Sequence, residues 1–169
     1  MRFFEKTQKI HRRSVGFAQS QKIGVIAYIE QIPHISILTN FIQQLSKEGK
    51  SVETILFVNT PLQSPNIEGI SVFSYRDLTL LGKWKNDKLF SFIQQPFDYL
   101  FCLNSPLIPP IINLLNMSKA HCRVGVHDEK HEKCFELMIR AKEGEKIEVI
   151  TEQMLKYTKS IMSKAPVHP

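Results

Sequence analysis

The chain has no GxGxxG or GxxxxGK(S/T) loop, no CxxC pair and no apolar run of transmembrane length. The first absence removes the glycine-rich backbone cradles that hold nucleotide phosphates. The second leaves Cys102, Cys122 and Cys134, odd in number, as free thiols, which suits a reducing cytoplasm better than a disulfide framework. The third, with a charged N-terminus that no apolar segment follows, gives neither a membrane span nor a secretory signal to expect. Internal repeats and low-complexity tracts are missing too.

What remains is the composition of an ordinary globular protein. Apolar residues make up 43% of the 169 and charged residues 22%. The length predicts one domain that buries roughly two-thirds of its unfolded surface and needs no staples. The net charge of +6 is uneven. Residues 1–22 hold Arg2, Lys6, Lys9, Arg12, Arg13 and Lys22 against Glu5 alone, a balance of +5, so the rest of the chain carries +1. A body that grips nucleic acid would show a basic excess of its own. Weak contact with a polyanion or a membrane surface is therefore expected of residues 1–22. Residues 1–19 read as a basic arm or a weakly amphipathic helix with Phe3, Ile10 and Phe17 on one side, residues 20–163 as the domain, and 164–169 as a disordered tail.

Along the body, strand-length apolar runs alternate with helical periodicities. Lys22–Ile29 is the first strand. Pro33 opens a helix carrying Ile35, Leu38, Ile42 and Leu45, and Gly49 ends it. Val52–Val58 and Ile70–Tyr75 are strands on either side of a Pro- and Gly-broken loop, and Lys88–Gln94 is a short helix. Phe97–Leu103, apolar throughout, is a central strand covered on both faces. A helix follows over Pro106–Met117, with Pro109 and Pro110 in its first turn or kinking it. Cys122–Val126 and Cys134–Ile139 are the last strands. Ile147–Met162 is the final helix, with Ile147, Ile150, Met154, Tyr157 and Ile161 on one side. Glu143, Glu145 and Glu148 read as its solvated start. The order predicts right-handed crossovers and a three-layer, Rossmann-like α/β domain, its mostly parallel sheet of five or six strands covered by helices on both faces.

Two resemblances rest on Phe97-Asp98-Tyr99-Leu100-Phe101-Cys102-Leu103-Asn104, on NMSKAHCRVG ending at Gly125, and on Phe135-Glu136-Leu137-Met138-Ile139. In this order they resemble a family of small bacterial proteins of unknown function, with its "FDLLIDLS", "LSKAKFRVG" and "YDLMI" segments, over about residues 20–163. More distantly they are similar to the N-terminal, acceptor half of the GT-B heptosyltransferases, where "YDLVIDLQ" precedes "AKRRIGF". The second resemblance implies a Rossmann-like domain with an ancestral role near sugars or nucleotides. The departures from it are specific. No second, donor-binding half is present in the sequence. The transferases' Gly-Asp turn after the first strand is here Tyr28-Ile29-Glu30-Gln31-Ile32-Pro33, and their second strand aspartate is Cys102.

If the strand order is 3-2-1-4-5-6, a ligand crevice lies beyond strands one and four, where the order reverses. Glu30, Gln31, Asn104 and Ser105 would rim it, with His127 after strand five, and two helix N-termini would favour a small anionic ligand. Cys122, His127, His131 and Cys134 have a spacing zinc accepts, but both cysteines fall in predicted strands, where they pack as apolar residues. Arg123 is expected to pair with Asp98 on the neighbouring strand. Cys102 reads as a core thiol, since no base accompanies it. No residue is assigned a catalytic role and no cofactor is expected. The leading expectation is a non-catalytic binding or interaction domain. An enzyme or nucleotide binder using the crevice is the alternative, and nucleic-acid or anionic-membrane binding through the basic arm is the third.

Overall fold

The computed structural model describes residues 12, 15–31, 33–60 and 66–162. The helix expected over residues 1–19 lies mostly outside these residues, and the expected tail 164–169 lies wholly outside. The strands are β1 Lys22–Tyr28, β2 Ser51–Val58, β3 Ile70–Ser74, β4 Tyr99–Cys102, β5 Cys122–Val126 and β6 Leu137–Ile139. The helices are α1 Ile35–Lys47, α2 Asp87–Gln94, α3 Pro109–Met117 and α4 Ile147–Met162. All strand pairs are parallel and the sheet order is β3-β2-β1-β4-β5-β6, as expected. The fold is a three-layer, Rossmann-like α/β domain. Among the described residues no helix is long and apolar enough to cross a membrane.

The period-2 geometry of the strands divides the core between the two faces. Ile23, Val25 and Ala27 of β1 meet Leu38, Phe41 and Leu45 of α1 and Met154 of α4 on one face. Ile26 of β1 and Leu100 of β4 meet Leu89 and Ile93 of α2 and Ile111 and Leu115 of α3 on the other. Both faces of the central strands are therefore apolar, which is why they read as unbroken hydrophobic runs.

Four expected elements differ in detail. Ladder pairing of β4 ends at Cys102, although Asp98 and Leu103 still donate to the carbonyls of Lys22 and Ile26. The helix expected from Pro106 starts at Pro109, so both prolines occupy positions whose N–H groups have no helical partner. Cys134 belongs to a single helical turn, Glu132–Cys134, and β6 begins three residues later. In α4 the inward face carries Ile150, Met154, Leu155 and Thr158, while Tyr157 is exposed. Ile161's side chain lies outside the description.

The division expected at residue 20 falls inside packed chain. Phe17 is buried, 5.8 Å from the ring of Tyr99. Lys50 Nζ sits 4.7 Å above the Phe17 ring and donates to the carbonyls of Phe17 (2.7 Å), Ser20 (2.8 Å) and Ala18 (3.3 Å). The buried ammonium thus caps a backbone turn, and its three N–H donors are met by three carbonyls. The Tyr99 hydroxyl donates to Val15 O.

Phe17→Ala is expected to cost about 3–5 kcal/mol, the range for emptying a buried phenylalanine site. Denaturant unfolding measures it, and a loss below about 1 kcal/mol would mean that this segment only rests on the surface.

Candidate functional site

The chain leaves β1 toward β2 and β3 on one side, then returns to β4 on the other. The strand order reverses between β1 and β4, and their C-terminal ends open a crevice. After β1 the chain makes one helical turn, Ile29–Gln31. After β4 it runs Leu103-Asn104-Ser105, with a cis bond to Pro106. Gln31 joins the two ends. Its Oε1 accepts from Asn104 Nδ2 (2.9 Å) and Ser105 N (3.1 Å), and its Nε2 donates to Pro106 O (2.8 Å). Asn104, 1% exposed, also accepts from the Cys102 thiol at 3.7 Å.

Above this floor lies a cavity of about 410 Å³, lined among others by Gln31, His34, Leu103, Ser105, Lys146 and Ile147. The N-cap of α1 and the first turn of α4 both border it. His34 is the N-cap of α1 but makes no side-chain capping bond, and the first turn of that helix contains no acidic residue. Its leading N–H groups retain their partial positive charge. Of the rim carboxylates, Glu145 is engaged locally, accepting from Lys142 N (2.9 Å) and Gln153 Nε2 (3.1 Å). Glu148 and Lys146 are exposed.

Of the five expected site residues, Gln31 and Ser105 line this cavity and Asn104 braces its floor. Glu30 turns toward the end of β2, where its Oε1 accepts from Asn59 Nδ2 (3.2 Å); Asn59 in turn accepts from the Tyr28 hydroxyl (2.8 Å). His127 sits past β5, its Nε2 3.6 Å from Glu132, and does not line the cavity. His34 and Lys146 were not foreseen. A helix following a parallel strand must begin at the C-terminal edge of the sheet. That rule places Lys146 at the right edge, but only the packing of α4 brings it over β1 and β4.

The Arg-x-Gly segment has a different role from the expected one. Arg123 does not pair with Asp98. Its Nε donates to Glu136 Oε2 (3.0 Å), Nη2 to Glu136 Oε1 (2.6 Å) and Lys133 O (2.9 Å), and Nη1 to Leu115 O (3.0 Å). Register explains the choice. Val124 pairs with Leu137, which sets Arg123 beside Glu136, while Tyr99 pairs with Cys122, which sets Asp98 beside His121. Asp98 accepts from Gln21 N (2.7 Å) and Lys22 N (3.1 Å), with His121 Nδ1 at 3.8 Å. A Cβ at Gly125 would stand 2.2 Å from Phe135 Cζ, so the glycine makes room for that ring.

The spacing that suggested zinc does not converge. Cys122 packs in the core on one face of the sheet and Cys134 in the core on the other. His131 Nδ1 is 2.9 Å from Asp128 Oδ2, and that hydrogen bond holds the Asp128 carboxyl below its usual pKa. Among the described residues no three His, Cys, Asp or Glu side chains are grouped to hold a metal. Burial pushes the Cys102 and Cys122 thiols up to about 12 and raises that of Cys134. A thiol so shifted is protonated at neutral pH and is a poor nucleophile.

The chain belongs to a family of unknown function (DUF6913), which matches residues 2–161. No curated protein matches. Among solved structures, the E. coli heptosyltransferase WaaC with ADP is similar at a TM-score of 0.42 and 8% identity, over 88% of this chain and 48% of that one. The chain thus spans about half the length of that transferase. Both resemblances expected from the sequence, the family and the distant transferase, are found.

Arg123→Met is expected to destabilise the fold by about 1–3 kcal/mol, since it takes the donor from the carbonyls of Leu115 and Lys133 and removes one of the two guanidinium partners of Glu136. Gly125→Ala should cost about 1–3 kcal/mol by overpacking against Phe135. Near-neutral unfolding curves for both would return the Arg-x-Gly segment to a ligand-binding role.

Proposed function

We propose that this domain is a non-catalytic binding module, and that its ligand is a small polar molecule bearing an anionic group, held in the crevice beyond β1 and β4. The observation that carries this reading is the cavity whose floor is the Gln31–Asn104–Ser105 network and whose walls include His34, the N-cap of α1, which leaves that helix start without a side-chain cap. Amide and backbone groups fix the floor, and the helix terminus with Lys146 and His34 on the rim favours negative charge. Nothing at the floor is equipped for proton transfer or attack. The only thiol there, on Cys102, is buried and protonated, and Glu30 is bonded to Asn59 away from the cavity. Catalysis needs a nucleophile or base within reach of the ligand, and the ionisable groups of the cavity, His34, Glu145, Lys146 and Glu148, stand at its rim rather than at the floor. Three buried, unpaired thiols suit a reducing compartment, and we read the cytoplasm as the place of action.

The third expectation, polyanion or membrane contact through residues 1–22, rests on charges that lie largely outside the described residues. Arg12, the one basic side chain of residues 1–19 within them, is bound to Glu136 (3.2 Å) and to the carbonyls of Ala120 and Ser118. The crevice is therefore the favoured reading.

Thermal unfolding with a panel of nucleotides, nucleotide sugars and sugar phosphates tests it. A ligand at a hundred times its Kd stabilises the folded state by about 2.7 kcal/mol, which is a rise of roughly 5–10 °C for a domain of this size. Lys146→Ala should remove most of that rise while leaving the unliganded Tm unchanged. A rise that survives Lys146→Ala and Ser105→Trp would move the site elsewhere, and turnover of the bound ligand would end the non-catalytic reading.

Thiol labelling gives a second check. At pH 8 the folded protein is expected to react with less than about one equivalent of a thiol reagent, and with all three in denaturant. Rapid labelling of Cys102 in the folded state would put a reactive sulfur at the crevice floor.

A further inference from the structure

The hairpin between β3 and α2 presents Leu80 and Leu81 to solvent, 107% and 87% exposed. They occupy the two central positions of a tight turn closed by Gly82 N donating to Thr79 O (2.9 Å). Such positions ordinarily carry proline, glycine or small polar residues. The turn is firmly built. Thr79 N donates to Lys83 O (2.7 Å), Lys83 N to Thr79 Oγ1 (3.0 Å), and Lys85 N to Asp77 O (2.8 Å). Gly82 takes φ +73, which a side chain would strain. The base is anchored by buried Trp84, whose indole N–H donates to Asn113 Oδ1 of α3 (2.7 Å). The two leucines are thus held out by the fold and do not belong to a loose loop.

The surroundings of the tip are basic. Arg76, Lys83, Lys85 and Lys88 are all exposed, and Lys83 and Lys85 flank buried Trp84 in an extended segment, so both side chains point away from the core. Of the carboxylates in this segment, Asp77 is engaged, accepting from Ser74 N (2.9 Å) and Asn86 Nδ2 (3.3 Å), and exposed Asp87, at the start of α2, leaves the four cations in excess. Tyr75, half-exposed, stands at the base of the hairpin with its ring edge-on to Phe57.

We infer that this hairpin is a membrane-surface anchor: Leu80 and Leu81 enter the acyl boundary of an anionic bilayer while the lysine and arginine collar meets the lipid headgroups. A convex apolar tip within a cationic collar fits an apolar phase lying beneath an anionic layer. A protein partner would more often be met by a flat patch with a polar rim. Tyr75 has the amphipathic character favoured at the headgroup level. This anchor is separate from the crevice and does not depend on the binding proposed there.

Co-sedimentation of the full chain with vesicles tests it. The protein is expected to bind vesicles of phosphatidylcholine and phosphatidylglycerol, to bind phosphatidylcholine alone far less, and to lose affinity as salt is raised. Leu80→Ser with Leu81→Ser should weaken binding by about tenfold or more, because the apolar insertion is removed. Lys83→Glu with Lys85→Glu should weaken it comparably. Both variants alter exposed side chains only, so unchanged Tm shows that they fold. In Leu81→Trp, indole emission should shift to the blue on addition of the mixed vesicles. Any of three results overturns the inference: no binding to either vesicle, binding unchanged by the leucine substitutions, or a dimer in solution that those substitutions dissociate. The second would assign the binding to charge alone and the third would make a second copy the occupant.

Discussion

The fork between Arg123 and Glu136 is the interaction on which the C-terminal half of the sheet depends. Arg123 is 5% exposed, and all three of its side-chain nitrogens are used. It binds the last turn of α3 through Leu115 O, the helical turn before β6 through Lys133 O, and the lead into β6 through Glu136. β6 is three residues long and its sheet neighbour is β5 alone. So short an edge strand has few ladder bonds of its own, and the planar five-donor guanidinium fixes its register from outside the ladder. β6 in turn delivers the chain to α4, whose first turn walls the crevice. The cavity over β1 and β4 is therefore shaped by a side chain on β5 that never touches it.

Glu136 also accepts from Arg12, so one carboxylate serves two guanidinium groups. Burial, and then the charge of Arg123, press the Arg12 pKa below its ordinary value, while Glu136 opposes the shift. Such an arrangement holds only if each cation has further acceptors, and here both do: carbonyls of Leu115 and Lys133 for Arg123, and of Ala120 and Ser118 for Arg12. Partly buried ion clusters contribute little net stability but penalise misregistration heavily. Together with Lys50 on the Phe17 turn, the cluster joins the first described residues to the body. The basic character of the N-terminal sequence thus has a structural component that charge counting does not separate from a ligand-binding one.

The architecture was legible because it rests on local signals. The apolar runs of β1, β2 and β4, Pro109 at a helix start and Gly49 after one each report a physical preference that operates over a few residues. What failed was pairing. Asp98 leads into β4 and Arg123 lies on the adjacent β5 with opposite charge, but a parallel ladder matches specific residues, and the register sets Arg123 opposite Leu100 on β4, two positions past Asp98, and beside Glu136 on the other side. Cys134 was drawn into a strand because Phe135 and Leu137–Ile139 continue the apolar run after it, and hydrophobicity alone does not mark where a ladder begins. In the crevice, Gln31, Asn104 and Ser105 followed from the strand-end rule. Glu30 and His127 were drawn in by the same rule, which places residues at an edge of the sheet but not on one side of it. Lys146 needed the position of α4, a property of packing between distant segments.

The polar groups at the crevice divide into a neutral floor and an ionisable rim. On the floor, Gln31 Oε1 accepts two hydrogen bonds and its Nε2 donates one, while Asn104 donates one and accepts from a thiol that is itself protonated. These groups are neutral, mutually satisfied and buried or nearly so, which makes the floor stiff and leaves it without a titratable partner for a ligand. Of the ionisable groups, His34, Lys146 and Glu148 stand on the rim in solvent, where their charges are screened, while Glu145 is held by Lys142 N and Gln153 Nε2. The crevice thus sets a fixed, neutral polar floor beneath a rim that carries the charge.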